Sequence, residues 1–338
     1  MMALVAKFRI VLAALALLAL ASPWQPAAAQ QARSVDPNAS AVHEEQLLQQ
    51  LHTIRGLGSI PDTKSYTLEQ PQGQEWRQYH EVTLRWIGGI VILGSFAVLV
   101  LYYVARGTIR IQGGRSGRTI LRFSAYQRVV HWMLAACFVI LSLSGLNITF
   151  GRPLLLPLMS PEAYSALSEY AKYAHNYLSF PFTLGVILMF FMWVADNIPY
   201  RVDIEFLKRG GGFIGHEHLS AYKFNGGEKI LFWIVSIGGA LVATSGYMLI
   251  FPFYATDDVH AMQWAEVGHS IIAMLFIGTM LAHMYLGTIG MEGAFESMGD
   301  GTVDVNWAKQ HHDLWLEEEA ARARQHPPHG QPTAMPGE

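Results

Sequence analysis

Fourteen histidines occur in this sequence, and four of them, His131, His175, His269 and His283, stand inside long runs without Asp, Glu, Lys or Arg. An ionisable ring in hydrocarbon is costly and by default marks a functional site. The chemistry open to it there is metal ligation through a ring nitrogen, or proton exchange. The stretch Val267 to Gly290 holds two of the four, His269 and His283, fourteen positions apart. On a helix they lie about 40° apart around the axis and about 21 Å apart along it, so both look out from one face near opposite surfaces of a bilayer. Two large cofactors, one per leaflet, account for both.

The elements that must carry these residues follow from the apolar runs. Lys7 and Arg9 precede Ile10 to Leu20, and Pro23 and the Ala27, Ala28, Ala29 stretch follow. This layout predicts a secretory signal peptide over 1–29. An exported, Gln-rich polar segment follows over 30–81; its His43, His52 and His80 have no metal-ligand spacing and are expected at the surface. A transmembrane helix over 82–105, centred on Trp86 to Ala105, then leads into a connector, 106–128, with six arginines and no acidic residue. Positive-inside bias places that connector in the cytoplasm. Four further spans follow over 129–290: Val129 to Phe150, Ala174 to Ala195, Ile230 to Phe251, and Val267 to Gly290. Asp196 to Lys229 carries five Lys or Arg and Pro252 to Glu266 none, so the same rule puts the first inside and the second outside. The tail 291–338 is then cytoplasmic.

Depth along these spans pairs the histidines. His131 begins an outward span and His283 ends an inward one, so both lie near the cytoplasmic face; His175 and His269 both lie near the outer face. One imidazole from each of two facing helices at equal depth suits the axial positions of a six-coordinate b-type haem, which carries electrons because no axial position is open. Gly145, Gly185, Gly238, Gly239, Gly246, Gly278 and Gly287 either admit a macrocycle to the backbone or serve close helix packing.

Composition narrows the classes. With 51% apolar and 14% charged residues and several apolar runs of 20 residues or more, the chain is expected to be a polytopic, all-α membrane protein. A net charge of −3 and the absence of a basic domain argue against nucleic acid as a partner. A single cysteine, Cys137, excludes disulfides, CxxC motifs and cysteine-held clusters built from this chain alone. Any tightly bound metal rests on histidine.

From about Phe123 to Glu319, roughly 60% of the chain, the sequence resembles the cytochrome b (gamma) subunit of respiratory, membrane-bound formate dehydrogenase. The matching stretches are RVVHW around His131, AHNYLSFP around His175, DNIP from Asp196, YKFNGGEK from Tyr222, VGHSIIA around His269, LAHMYLG around His283 and WAKQHHDLW from Trp307. The resemblance implies a four-helix transmembrane dihaem bundle, here with one extra N-terminal transmembrane helix. It implies two haem b groups, the outer on His175 and His269, the inner on His131 and His283. It implies a bacterial inner-membrane location, with an iron–sulfur beta subunit and a molybdenum or tungsten alpha subunit on the periplasmic side. Electrons would then pass inward to a quinone, menaquinone or ubiquinone, contributing to a proton-motive force.

For the quinone, the resemblance favours Asn225 and Gly227, beside His283. Asn225 offers an amide and Gly226 and Gly227 permit close approach, while Glu228 or Lys229 would relay protons. The plain alternative is a loop-to-helix junction in which Asn caps and Gly turns. His311 and His312 are expected to be surface or partner-docking residues, and Arg122, Arg128 and Lys223 to meet haem propionates or anchor at the interface. Two rival functions stand: a cytochrome b subunit serving another periplasmic dehydrogenase or reductase, such as a hydrogenase or thiosulfate reductase, and a transporter using its intramembrane histidines for protons or a divalent metal.

Overall fold

The computed structural model describes residues 73–212, 219–252, 254 and 258–325. The expected signal peptide, most of the exported segment with His43 and His52, and the end of the tail lie outside the described residues.

Among the described residues, five helices are long and apolar enough to cross a membrane, spanning Glu75–Arg106, Ala125–Leu154, Pro161–Trp193, Gly226–Ile250 and Val259–Gly290. The first is built from α1 (Gly73–Gln78), a π turn (Tyr79–Thr83) and α2 (Leu84–Arg106). Next come α3 (Ala125–Leu154), α4 (Pro161–Trp193) and the short α5 (Arg201–Lys208). The fourth crossing is α6 (Gly226–Trp233), a π turn (Ile234–Gly238) and α7 (Gly239–Ile250); the fifth is α8 (Val259–Tyr285) with a terminal π turn (Leu286–Gly290).

Helix starts are written in local chemistry. Ser124 accepts from the Gln127 amide while the Gln127 side chain accepts from the Ser124 amide, a reciprocal cap on α3. Ser160 caps α4 with Pro161 at its first position, so α4 begins well before the expected Ala174. The polar first turns of α4 hide this start from a hydropathy count.

Small residues set the helix crossings. A Cβ on Gly185 would sit 3.1 Å from Leu134, which locks α3 to α4, and one on Gly239 would sit 2.9 Å from Val186, which locks α7 to α4. Along α2, Gly88 faces Met274 and Phe150, while Gly278 of α8 faces Ser95, so α2 lies against α8 through glycine on both sides. Arg85 Nε adds a bond to the Thr149 carbonyl at 3.1 Å. Gly185, Gly239 and Gly278 therefore serve packing.

The connector and the segment after α8 fold into one cap. Strand β1 (Thr119–Leu121) pairs antiparallel with β2 (Thr302–Asp304), Ile120 opposite Val303. Three short helices follow or flank β2: α9 (Glu296–Gly299), α10 (Val305–His311) and α11 (Asp313–Gln325). Ile111, Val303, Trp307, Ala308 and Trp315 form the cap's apolar core. Gly301 has a φ of 96°, and a Cβ there would lie 2.5 Å from the Phe123 carbonyl. Only glycine closes that turn without strain.

Candidate functional site

Two histidine pairs form across the bundle. His131 of α3 and His283 of α8 lie with ring centres 6.1 Å apart near the cap, and His175 of α4 and His269 of α8 lie 6.1 Å apart farther from it. These are the pairs expected from depth. A metal–imidazole bond runs about 2 Å and the ring centre lies roughly 1 Å behind the nitrogen, so two imidazoles on opposite sides of one metal place their centres about 6 Å apart. Both separations fit. Among the described residues no group of three or more His, Cys, Asp or Glu is arranged to hold an ion. A bare divalent ion takes about four ligands, so two imidazoles alone suit an iron already held by a macrocycle.

The distal pair is anchored at its far nitrogens. His175 Nδ1 lies 3.1 Å from the Leu141 carbonyl and 2.9 Å from Ser144 Oγ, both on α3. His269 Nδ1 lies 3.0 Å from the Val242 carbonyl and 3.2 Å from Ser245 Oγ, both on α7. A carbonyl only accepts, so Nδ1 carries the proton in each ring and Nε2 keeps its lone pair for a ligand. The glycine after each serine makes room: a Cβ on Gly145 would stand 3.3 Å from His175 Cε1, and one on Gly246 would stand 3.1 Å from His269 Cε1. The sequence carries this twice, as LSLSG and VATSG, each on the helix before a ligand helix. Composition and span analysis pass over it because Ser and Gly are common in membrane helices.

The cap-side pair differs. His131 Nδ1 is buried with no protein partner. Beside the pair opens a cavity of about 2050 Å³, lined by both histidines together with Arg122, Asn225, Gly227 and Glu228. Typical ligand pockets hold about 300–1,000 Å³, so this space exceeds the need of one medium-sized ligand. Asn225 and Gly227 thus share a cavity with His131 and His283. Asn225 also caps α6: its Oδ1 accepts from the Glu228 amide at 3.0 Å, and Glu228 Oε2 accepts from the Asn225 amide at 2.9 Å.

A largely buried polar network lines the cavity on the cap side. Arg122 donates to the Lys223 carbonyl at 2.8 Å and to Glu228 Oε1 at 3.0 Å, and it lies 3.1 Å from His312 Nε2. His312 Nδ1 sits 2.7 Å from the Tyr222 carbonyl. His312 is 1% exposed, which corrects the expectation of a surface residue. Burial first, and then the Arg122 charge, push its pKa down to about 3, so it is neutral at physiological pH. Sequence gave no local sign of this network because its members come from the connector, α6 and the last helices.

Other residues singled out in the sequence make these contacts. Lys229 donates to Asp203 at 2.7 Å and to the Ile198 carbonyl at 3.0 Å, pinning α6 to α5. Arg128 donates to the Gly299 carbonyl, and Lys223 pairs with Asp196 at 3.4 Å. His80, expected at the surface, is half-buried and pairs with Glu266 of α8 at 3.1 Å.

Comparison with known proteins finds relatives, and a family model over the part of the chain that carries the four histidines. The chain is 29% identical over 202 residues to the formate dehydrogenase cytochrome b556(fdo) subunit of Escherichia coli K12, covering 59% of this chain and 93% of that one. It is 27% identical over 222 residues to the nitrate-inducible cytochrome b556(Fdn) subunit of the same organism, covering 61% and 95%. It is 28% identical over 215 residues to the formate dehydrogenase cytochrome b556 subunit of Haemophilus influenzae, covering 59% and 83%. The family model for prokaryotic cytochrome b561 matches residues 122–301, more than half of the sequence and the part that holds all four paired histidines. With five long apolar helices among the described residues and that match, this multi-pass membrane chain belongs to the prokaryotic cytochrome b561 family.

Proposed function

We propose that this chain is the dihaem cytochrome b subunit of a formate dehydrogenase, taking electrons from an iron–sulfur subunit on the periplasmic side and passing them to a quinone near the cytoplasmic side. The observation that carries this is the pair of His–His couples, each with ring centres 6.1 Å apart, set at two levels along the bundle. His175 and His269 would hold the outer haem and His131 and His283 the inner; such bis-histidine haems supply one-electron transfer. The relatives are formate dehydrogenase subunits matched over most of their own length, which supports this donor over a hydrogenase or thiosulfate reductase.

On the chain's side, the histidine couples fix two stations about 21 Å apart along α8. The cavity beside His283 gives a quinone a place to meet the inner station, with Asn225 and Gly227 on its wall. The Asn225 carbonyl oxygen is engaged in capping, so its amide NH2 is the group offered to a quinone oxygen. Quinone reduction there takes up protons from the cytoplasm while formate oxidation releases one outside, and charge separation follows. The helix Glu75–Arg106 would be an addition to a four-helix dihaem core.

Reduced-minus-oxidised visible spectra of the purified chain, with a haem-to-protein ratio, test this. Two b-type haems per chain are expected; a colourless, correctly inserted protein would overturn the assignment.

A further inference from the structure

The two histidine pairs are matched in separation but not in the groups behind them. Each distal Nδ1 meets two oxygens, a backbone carbonyl and a serine hydroxyl. Both hydroxyls are already oriented. Ser144 Oγ lies 2.7 Å from the Ile140 carbonyl four residues back, and Ser245 Oγ lies 2.7 Å from the Leu241 carbonyl four residues back. With its single proton spent on that carbonyl, each serine oxygen turns a lone pair to the imidazole and accepts from Nδ1–H. The arrangement is repeated on two helices, α3 and α7.

An acceptor behind Nδ1–H draws the proton outward and makes the ligating nitrogen more basic. A more basic ligand favours the more highly charged, oxidised iron, and hydrogen bonding in this shell is one of the protein's levers on haem potential. The cap-side pair lacks this lever on His131, whose Nδ1 is buried with no protein partner.

We propose that Ser144 and Ser245 are positioning residues that lower the reduction potential of the haem held by His175 and His269 below that of the haem held by His131 and His283. They thereby bias a one-electron exchange so that the distal station is oxidised as the cap-side station is reduced, with no bond made or proton moved. This rests on the dihaem assignment above. A packing role alone would be largely served by alanine, which keeps the Cβ and loses only the hydroxyl oxygen that accepts.

The test is a redox titration of the intact, haem-loaded chain followed at the visible absorption bands. His175→Ala leaves the cap-side haem alone and His131→Ala the distal one, which assigns each midpoint. Ser144→Ala and Ser245→Ala, made separately, are each expected to raise the distal midpoint, by up to about tenfold in the reduction equilibrium, or ~59 mV for one electron. The cap-side midpoint stays in place, and Ser→Thr, which keeps the hydroxyl, restores the original distal value. The two serines sit on different helices, so either variant suffices if the other does not assemble. An unchanged distal midpoint with two haems bound would overturn the proposal, as would a wild-type distal midpoint above the cap-side one or equal shifts in both. A wild-type ratio below two haems per chain would instead overturn the dihaem assignment beneath it.

Discussion

The distal and cap-side histidine pairs share a ring separation of 6.1 Å but are built by different means. The distal pair is finished within the bundle: its rings are gripped by Ser144 and Ser245, and Gly145 and Gly246 leave room for them. The cap-side pair borders a cavity walled by α3, α4, α6 and α8 of the bundle together with the connector and the segment after α8. A rigid shell suits a station that only passes electrons. On the function proposed above, a walled cavity suits a station that would also meet a quinone and its protons.

The hardest way to break this comparison is to remove a ligand. His175→Ala and His131→Ala are each expected to halve the haem-to-protein ratio, each leaving the other pair's spectrum in place. Loss of both haems from either variant would show that the two stations are not independently built.

A second variant separates them by stability. Lys229 and Asp203 have side chains only 3% and 5% exposed, so Lys229→Met takes the ammonium from a buried carboxylate and leaves it the Tyr200 amide. The expected cost is about 3–5 kcal/mol, read by denaturant titration in detergent. Haem loss should begin at the cap-side station, and Asp203→Asn in the same chain should recover part of the loss.

The converse change loads the distal shell. Gly145→Ala or Gly246→Ala places a methyl 3.1–3.3 Å from an imidazole carbon. That is tighter than ordinary contact, so the ring must yield. About 1–2 kcal/mol of overpacking is expected, seen as faster distal haem loss with the cap-side haem unaffected.

The smallest effect is with pH, and it is confined to the cap. The folded His312 pKa, about 3, lies below its ordinary value of 6.5, because burial and Arg122 disfavour the charged ring. Between those values the unfolded cap binds more protons than the folded one, so His312's contribution is full above about pH 6.5 and falls away as pH drops towards 3. Limited proteolysis of the 291–325 segment should accelerate across that window, and His312→Gln should flatten the dependence. An equal acid response in the variant would remove His312 from the account.

Part of this architecture was legible in the residues. Runs without charge marked the crossings, and their polar borders misled chiefly at α4, where an amphipathic start capped by Ser160 extends the helix by more than three turns. Asn225 showed both its possible roles, and its capping role is the one the hydrogen bonds display. His312 escapes a local reading because a polar residue in a charged tail looks solvated until a remote arginine and carboxylate are folded against it.

What the sequence determined alone is depth. An α-helix closes its hydrogen bonds locally and rises by a constant step, so residue number along an apolar run converts directly into position across the membrane, and four histidines fall into two pairs. What the tertiary structure decided is which groups stand behind those rings. Whether Ser144 faces His175, or β1 finds β2 across about 180 residues of intervening chain, depends on helix rotation and long-range packing, and no local interaction records either.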